Sequence, residues 1–473
     1  MLFSGYRSAG YFDEMFDDQT EPRTVYAEIA RGMSRMSRAT FTARAAQVDL
    51  HYANHGITFA HGGRDQTFPF DLLPRVIDAG EWQTVEAGLM QRVIALDLFL
   101  ADIYGPKRSV RDGIVPNTMI ATCSGYLRPV VGLEPPGGRR IYLAGVDLVR
   151  DHHGEWRVLE DNLRNPSGLS YLLQNRKFMR RLMPEAFAAQ CVAQVDHAAL
   201  LLRDAITAMS PSGSTGCVTL LSPGPWNAAY AEHAYLAQQM GAELVEGRDL
   251  VVRNRRVWIR TTGGLRQVSV IYRRIDDAYL DPASLRGDSM LGVSGLLQAY
   301  RDGNVVIANA PGNGVADDKA VYVYVPDLIR YFLGEEPILG QVPTFTLNRG
   351  EDLDYVLSHL DSLVVKAVDG AGGYGMMIGP QATAQERESF ARRLRENPRG
   401  YIAQEVVKLS RAPVFLNGDF TARHVDLRPF VMFGETPVVV PGGLTRVALR
   451  EGSLVVNSSQ GGGSKDTWVV GRN

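Results

Sequence analysis

The segment that most constrains the fold is an apolar stretch that ends in a lysine and runs into a glycine-rich loop, LVVKAVDGAGGYGMMIG (363–379). Glycine lets a backbone approach a phosphate group closely, and a lysine supplies a point charge for phosphate oxygens. Because Lys366 precedes the glycines and no GK[ST] follows them, the segment is not a Walker A loop. Because the loop runs into the apolar MMIG, it does not open a helix as a Rossmann loop does. We therefore predict a strand, a phosphate-covering loop and a second strand; a plain glycine-rich hairpin beside an exposed lysine is the alternative. The loop glycines are Gly370, Gly372, Gly373 and Gly375.

An acidic hairpin is predicted much earlier in the chain, within VDLVRDHHGEWRVLEDN (146–162). Two runs of strand-forming residues are joined there by a short polar turn. Asp147 lies on the first strand, and Glu160 and Asn162 lie two apart on the second, so the latter two side chains share a face. Hard oxygen ligands of this kind suit Mg²⁺, whereas the two histidines in the turn lack a third nitrogen or sulfur ligand for zinc. The alternative is an ordinary hairpin capped by acidic residues.

A candidate nucleotide hinge follows in YIAQEVVKL (401–409). The apolar strand ends at Gln404 and Glu405, and the backbone after it includes Val407. Backbone groups at such a strand end could contact the edge of an adenine ring, and the carboxylate could contact its amino group or a ribose. The pattern is weak when it is taken alone.

Two arginines are candidates for binding a carboxylate or a transferred phosphoryl group. Arg428 lies two residues after Asp426 in HVDLRPFVMFG, and Arg446 lies in the later strand LTRVAL. The alternative for these residues is a ladder of ion pairs on the protein surface.

Composition excludes several classes of protein. The formal net charge is −2, so no global attraction to nucleic acid or to an anionic membrane is expected. Cys123, Cys191 and Cys217 are far apart and form neither a disulfide framework nor a zinc site. No apolar run of about 18 residues predicts a membrane span, and the acidic N-terminal stretch lacks the apolar core of a signal peptide. We expect a cytoplasmic protein.

The texture of the sequence changes along the chain and divides it into four predicted parts. A mixed, partly helical region (1–84) precedes a part with a long amphipathic helix, the acidic hairpin and further helices (85–209). Strands then alternate with helices in a predicted α/β lobe (210–345), which indicates a mostly parallel sheet. The last part (346–473) is rich in strands and punctuated by glycines.

Taken in order, these motifs resemble the circularly permuted ATP-grasp proteins, a group often labelled glutathionylspermidine-synthase-like. The lysine–glycine segment, YIAQEVV, DLRPFVMFGETPVVVPGG and NSSQGGG resemble the ATP-binding half of ATP-grasp ligases such as glutathione synthetase. The acidic hairpin resembles their metal-binding segment, which normally comes last and here comes first. The resemblance covers roughly residues 85–470. It implies an α/β fold of α+β lobes, with an added α/β lobe that precedes the ATP-binding part and usually holds substrate.

The resemblance also assigns roles to individual residues. It implies that Lys366 and the loop glycines bind phosphate, that Gln404, Glu405 and Val407 form the adenine hinge, and that Asp147, Glu160 and Asn162 bind Mg²⁺. Arg428 is implied at the phosphoryl group, with Arg446 and Arg164 offsetting charge. Weaker candidates for substrate contacts are Arg273, Arg274, Asn457, Gly461 and Gly462. A second phosphate-binding residue is common in the family, and Lys319 and Arg349 are weak candidates for it.

The function implied by the resemblance is Mg²⁺- and ATP-dependent ligation of a carboxylate to an amine through an acyl phosphate. The expected partners are small-molecule or peptide carboxylates and amines, without nucleic acid or membrane. One alternative is a catalytically silent nucleotide-binding protein that serves as a regulator or assembly partner. Another is phosphate transfer to a histidine, for which His233, His359 and His424 are scattered candidates.

Overall fold

The protein is described by a computed structural model that covers residues 2–54, 56–61, 64–211, 213–370, 375–456 and 461–471. The helices are α1 (Ala27–Ser34), α2 (Arg38–Asn54), α3 (Ala79–Tyr104), α4 (Arg108–Arg111), α5 (Asn117–Ala121), α6 (Leu169–Leu182), α7 (Pro184–Ala188), α8 (Ala198–Thr207), α9 (Tyr230–Met240), α10 (Leu296–Arg301), α11 (Gly314–Asp317), α12 (Val325–Leu333), α13 (Gly350–Ser358) and α14 (Ala384–Glu396). The strands are β1 (Thr58–His61), β2 (Arg64–Thr67), β3 (Phe70–Asp78), β4 (Leu143–Arg150), β5 (Trp156–Asn162), β6 (Cys217–Leu221), β7 (Glu243–Val245), β8 (Leu250–Arg253), β9 (Arg256–Thr261), β10 (Gly264–Arg273), β11 (Val306–Ala308), β12 (Gly340–Gln341), β13 (Thr344–Thr346), β14 (Leu363–Ala367), β15 (Met377–Ile378), β16 (Tyr401–Glu405), β17 (Arg411–Leu416), β18 (Asp419–Arg428), β19 (Phe430–Phe433), β20 (Pro437–Val439), β21 (Leu444–Val447) and β22 (Gly463–Val470).

A ten-stranded sheet joins parts of the chain that are far apart in sequence. Its main order is β12-β5-β4-β18-β21-β22-β3, with β17 beside β18, β19 beside β4 and β20 beside β19. The acidic hairpin β4–β5 therefore lies next to β18, and Leu148 is the register partner of Leu427. This sheet brings the predicted metal-binding hairpin beside the arginine-bearing strands, and it confirms the predicted mixed α/β class.

Alternating side chains let this sheet carry a core on each face. Val146 and Leu148 of β4 belong to a core that includes Leu89 and Leu96 of α3. Leu143, which points to the other face, belongs to a second core that includes the residues of α6. Burying a side chain of this size contributes roughly 1.5–3 kcal/mol, so the two apolar faces fix the register of β4 and with it the direction of Asp147.

The long helix α3 starts earlier than its apolar repeat predicts. The repeat becomes clear only from Val85, whereas α3 begins at Ala79, because the Asp78 side chain accepts hydrogen bonds from the backbone N–H groups of Gly80 and Glu81. An aspartate at this position caps the first turn of a helix. The capped turn precedes the apolar repeat and was therefore missed.

A smaller sheet forms within the predicted α/β lobe. Its order is β7-β6-β10-β9-β8, with β11 beside β10. The strands β7, β6, β10 and β11 run parallel, as the alternation of helices and strands predicts, while β8 and β9 form an antiparallel extension. The loops that follow β6, β10 and β11 consequently leave the same edge of the sheet, which is where ligands bind in parallel α/β sheets.

The third large element is a four-stranded antiparallel sheet in the order β13-β16-β14-β15. It packs with residues of α13 and α14 around a small separate core. The strands β14 and β15, which flank the glycine loop, pair with each other, which confirms the predicted strand–loop–strand arrangement. Within the residues covered by the structure, no helix is both long and apolar enough to span a membrane.

Replacement of Asp161 by alanine is expected to destabilise the protein strongly. Its carboxylate binds the Arg92 guanidinium through Nε and Nη2 at 2.8 and 2.7 Å, and both side chains are almost fully buried. Removal of one partner of a buried pair leaves an uncompensated charge and costs about 3–5 kcal/mol. The free energy of unfolding from urea denaturation, followed by circular dichroism, measures the effect.

The matched control is Asp196→Ala, which breaks an exposed ion pair with Arg180. Exposed pairs contribute about 0–1 kcal/mol. Equal losses of stability in the two variants would contradict the structural role of the Arg92–Asp161 pair.

Candidate functional site

The three predicted metal ligands lie together at one end of the β4–β5 hairpin. Asp147 is the register partner of Glu160, and Gly145 is the partner of Asn162. Cross-strand partners place their side chains on the same face. The sheet thus brings together the three side chains that the sequence singled out, although it leaves their binding of a metal a prediction.

Two arginine side chains bind the Asp147 carboxylate. Arg428 donates from Nε and Nη2 to the two carboxylate oxygens at 2.5 and 2.7 Å, and Arg446 donates from Nη2 to Oδ2 at 2.7 Å. Asp147 is only 1% exposed. The alternative of an ion-pair ladder on the surface is therefore wrong: these residues form a buried cluster, in which charge-assisted hydrogen bonds replace the lost water.

Asp426 anchors Arg446 from the other side. The two residues are register partners on β18 and β21, and Arg446 Nε lies 2.9 and 3.1 Å from the Asp426 carboxylate oxygens. Burial lowers the pKa of Arg446, but Asp147 and Asp426 outweigh that effect and hold the pKa above its ordinary value. Arg446 is thus a fixed positive charge held between two buried carboxylates.

Lys319 is a functional candidate that sequence reasoning could only name weakly. Its Nζ donates to the carbonyl of Gly370 at 2.6 Å and lies 3.4 Å from Glu160 Oε2. The backbone N–H of Lys319 also donates to the carbonyl of Val368. The loop after β11 therefore places a lysine of the α/β lobe against the strand–glycine segment. No local sequence pattern predicts this contact. The other weak candidate, Arg349, donates to the Tyr324 hydroxyl and does not line this site.

Lys366 points toward the same centre from the four-stranded sheet. Its Nζ donates to Gln404 Oε1 at 2.7 Å, and Gln404 Nε2 donates to the Thr344 hydroxyl at 2.9 Å. Burial lowers the pKa of Lys366 to about 8; Glu160 opposes this shift, and the neighbouring Lys319 adds to it. The Gln404 side chain thus orients the lysine, and its part in the adenine hinge stays a prediction.

The charge of Glu160 is stabilised by its surroundings. Burial opposes ionisation of its carboxyl group, but four cations outweigh burial and hold the pKa of Glu160 well below its ordinary value. Those cations are Lys319, Lys366, Arg428 and Arg446. An anionic oxygen ligand is therefore present throughout the neutral pH range.

A cleft of about 840 Å³ opens beside this cluster. One wall carries Glu160, Asn162 and the two arginines, and the opposite wall is formed by loops that follow β6, β10 and β11 in the α/β lobe. A smaller cavity of about 90 Å³ adjoins it and is lined by Lys366, Lys319 and Met376, among others. The cleft can hold an extended ligand with its anionic end at the cations.

Arg164 also lines the cleft, but it lies in the loop between β5 and α6 and not on β18 or β21. Its guanidinium pairs with Asp317 at 3.3 Å and lies 3.6 Å from Asp276. Burial raises the pKa of Asp317 to about 6, although Arg164 acts in the opposite direction. The positive charge of Arg164 is shared with two carboxylates, and its part in charge neutralisation stays a prediction.

The weaker candidates for substrate contacts take different positions. Arg273 is fully buried, donates to the backbone carbonyls of Asn309, Ile275 and Ala310, and pairs with Asp277. Arg274 donates to the carbonyl of Pro166 and to the Ser167 hydroxyl. Neither lines the cleft; their packing favours a role in fixing the loops, and substrate contact stays a prediction.

The remaining predicted residues are placed only in part. Glu405 is exposed at the end of β16, and Val407 packs against a small apolar cluster that includes Val149 and Val342. Gly370 lines both cavities. Gly375 has φ +70°, which favours glycine, and Gly461 and Gly462 directly precede β22. Gly372, Gly373 and Asn457 lie outside the described residues.

The donor set can be tested for its fit to a divalent cation. Among the described residues, no group of three or more histidine, cysteine, aspartate or glutamate side chains is arranged to hold a metal. Glu160 and Asn162 do face the cleft. Cationic side chains meanwhile occupy Asp147 and Glu160. The carboxylate and amide oxygens of these residues are the ligand types that Mg²⁺ prefers. The donor chemistry therefore fits the ion, and its binding here stays a prediction.

Comparison with known proteins places the chain in a family. It matches the family model of circularly permuted ATP-grasp type 2 proteins over residues 74–448. It is 50% identical over 476 residues to an uncharacterized protein of Synechocystis sp., with 99% of each chain covered. It is 49% identical to an uncharacterized protein of Mycobacterium tuberculosis, with 99% of this chain and 86% of the relative covered.

Two further relatives extend the comparison. A Frankia alni protein named "Putative glutamate–cysteine ligase 2-3" is 43% identical over 100% of this chain, which spans 55% of that protein. A glutathione synthetase-like effector of Globodera pallida, solved in its apo form, shares the fold with a TM-score of 0.60 at 11% identity, with 92% of this chain and 98% of that one covered. The match to the family model over most of the chain, together with these relatives, shows that the chain belongs to the circularly permuted ATP-grasp type 2 family.

Proposed function

We propose that the protein is a Mg²⁺- and ATP-dependent ligase that joins a carboxylate to an amine through an acyl phosphate. The observation that carries the proposal is the meeting of two lysines and two arginines around Glu160, at one end of a cleft of about 840 Å³. Family membership supports ATP use and ligation at the level of the family. The four cations match the charge of a triphosphate whose terminal group is transferred.

The phosphates of ATP would lie between the lysines. Lys366 comes from the four-stranded sheet and Lys319 from the α/β lobe, so the two approach from different sides. Gly370, which begins the glycine loop, lines the same small cavity as both lysines. A triphosphate at this position replaces the internal partners Gln404 and Gly370 with stronger, charged acceptors.

Glu160 and Asn162 would hold the metal. Asp147 would be a third oxygen donor once Arg428 is displaced from its carboxylate. When bound, a divalent cation supplies charge neutralisation of the phosphate oxygens during transfer. Glu160 remains anionic at neutral pH because of its cationic neighbours. The protein therefore presents a charged ligand and a neutral amide on one strand.

The side chains would act mainly by positioning and by charge neutralisation. A substrate carboxylate oxygen attacks the γ-phosphorus and ADP leaves; the amine nitrogen then attacks the acyl carbon, phosphate leaves, and the amine loses a proton. Arg428 and Arg446, which line the cleft, would neutralise the phosphoryl oxygens in both steps. This scheme needs no covalent nucleophile from the protein.

The identities of the substrates are proposed only as classes. The glutamate–cysteine name belongs to a protein of which this chain spans 55%, so we propose a small-molecule or peptide carboxylate and an amine without naming either. Phosphate transfer to histidine is disfavoured, because the residues that line the cleft do not include His233, His359 or His424.

ADP release in the presence of a panel of carboxylates and amines tests the reaction. Lys366→Ala and Glu160→Ala are each expected to lower substrate-dependent ADP release at least about 100-fold, the scale on which single charge-stabilising groups act. A coupled assay measures ADP, and circular dichroism checks the fold. The matched control is Lys177→Ala, which removes an exposed lysine of α6 that does not line the cleft.

Two results would contradict the ligase. Nucleotide binding without turnover across a broad panel would favour a catalytically silent binder. ADP release that is unchanged in Glu160→Ala would show that the acidic hairpin is not part of the site.

The low pKa of Lys366 predicts a pH dependence of ATP binding. Only the protonated amine attracts phosphate, so affinity for Mg²⁺–ATP should fall as the pH rises through about 8 and proton uptake should accompany binding. The folded-state pKa lies below the ordinary value of 10.5, so this lysine destabilises the fold at lower pH, and the loss is relieved as the pH rises from about 8 to 10.5. Calorimetry at pH 7 and 9, in buffers of different ionisation enthalpy, measures both affinity and uptake.

The conservative variant Lys366→Arg stays protonated across this range. It should bind Mg²⁺–ATP with little change between the two pH values and without proton uptake from this position. The same pH dependence in wild type and Lys366→Arg would assign the titration to another group.

A further inference from the structure

The two arginines that bind Asp147 are anchored very differently. Arg446 keeps hydrogen bonds to Asp426 at 2.9 and 3.1 Å that do not involve Asp147. Apart from Asp147, the hydrogen bond that the structure shows for the Arg428 side chain goes to the Ser167 carbonyl, at 3.3 Å. If Asp147 took another partner, Arg446 would stay in place and Arg428 would lose most of what holds it.

Arg428 also occupies the oxygens that a metal would need. It spans both oxygens of Asp147 at 2.5 and 2.7 Å, and its Nη2 lies 3.9 Å from Glu160 Oε1. Asp147 and Glu160 are direct partners across two strands. The guanidinium therefore lies against the two carboxylates that an ion between β4 and β5 would share.

We propose that Arg428 is a gate on the metal position. In the nucleotide-free protein the Arg428 guanidinium covers the Asp147 carboxylate. It moves away when a divalent cation binds, while Arg446 remains fixed by Asp426. The inference rests on the proposed function only in placing a metal at the acidic hairpin. It gives different roles to two arginines that the sequence pattern treats alike.

The structure offers the released arginine a place to go. Arg428 lines the cleft of about 840 Å³, and its side chain is 13% exposed, whereas that of Arg446 is 6% exposed. Rotation of Arg428 away from Asp147 would deliver a free guanidinium into the cleft. Metal binding would then create the positive charge that holds a substrate carboxylate, so metal entry and carboxylate binding are coupled.

Binding of Mn²⁺ without nucleotide tests the gate, with free Mn²⁺ measured by electron paramagnetic resonance. Arg428→Met keeps an unbranched apolar stem and removes the guanidinium with its charge, so it should tighten Mn²⁺ binding at least about tenfold, equivalent to about 1.4 kcal/mol. Arg423→Met, on the same strand, is the matched control; its guanidinium donates to backbone carbonyls, and Mn²⁺ affinity should not change. Thermal unfolding checks that each variant is folded.

The double variant Asp147→Asn/Arg428→Met, compared with the single variant Asp147→Asn, separates the gate from a general change of charge. A general charge effect would give the same gain in both backgrounds, whereas the gate predicts no gain from Arg428→Met once the carboxylate that it uncovers is gone. A gain that persists in the double variant, or a Mn²⁺ affinity of Arg428→Met that equals the wild type, including no measurable binding in either, overturns the gate. The titration needs neither ATP nor turnover, so the gate can fail while substrate-dependent ADP release succeeds, and the reverse.

Discussion

The contact on which the site depends is the buried charge cluster between the acidic hairpin and β18–β21. Asp147 meets Arg428 and Arg446 there, although about 300 positions separate the partners in the chain. Ionised groups so deeply buried are tolerated only when they are paired and hydrogen-bonded. Their complementarity adds electrostatic specificity to the β4–β18 seam, whose register the apolar faces of β4 already favour. The same seam brings Glu160 and Asn162 to the cleft.

The positions of the two lysines of the site are set by hydrogen bonds to neutral acceptors. Lys366 is held within one sheet by Gln404, whereas Lys319 reaches across from the α/β lobe to Gly370. The position of Lys366 therefore depends on the four-stranded sheet, and the position of Lys319 depends on how the α/β lobe packs against that sheet. A ligand that bridges both would hold these units together, because it replaces neutral partners with charged ones. The site is assembled from three sheets and belongs to none of them alone.

The sequence predicts most of what is local. A strand that ends in Lys366, the Asp147–Glu160 hairpin and the alternation of helices and strands follow from residue types and periods of two or three to four residues. The first turn of α3 was missed, because a capping aspartate rather than an apolar repeat defines it. Lys319 could only be guessed, since its position depends on how a loop of one unit docks on another.

The roles of paired residues were harder still to predict than their positions. Arg428 and Asp426 lie two apart on β18 and both point into the charged cluster, yet one covers a candidate ligand and the other anchors Arg446. A one-dimensional pattern records that charges are present but not which of them neutralise one another. In a buried cluster the pairing decides the function, because a carboxylate that holds two guanidiniums has no free oxygen for a metal until one of them leaves. Which charged residues pair with one another, and not only which are present, therefore decides whether Asp147 can bind a metal before a guanidinium has moved away.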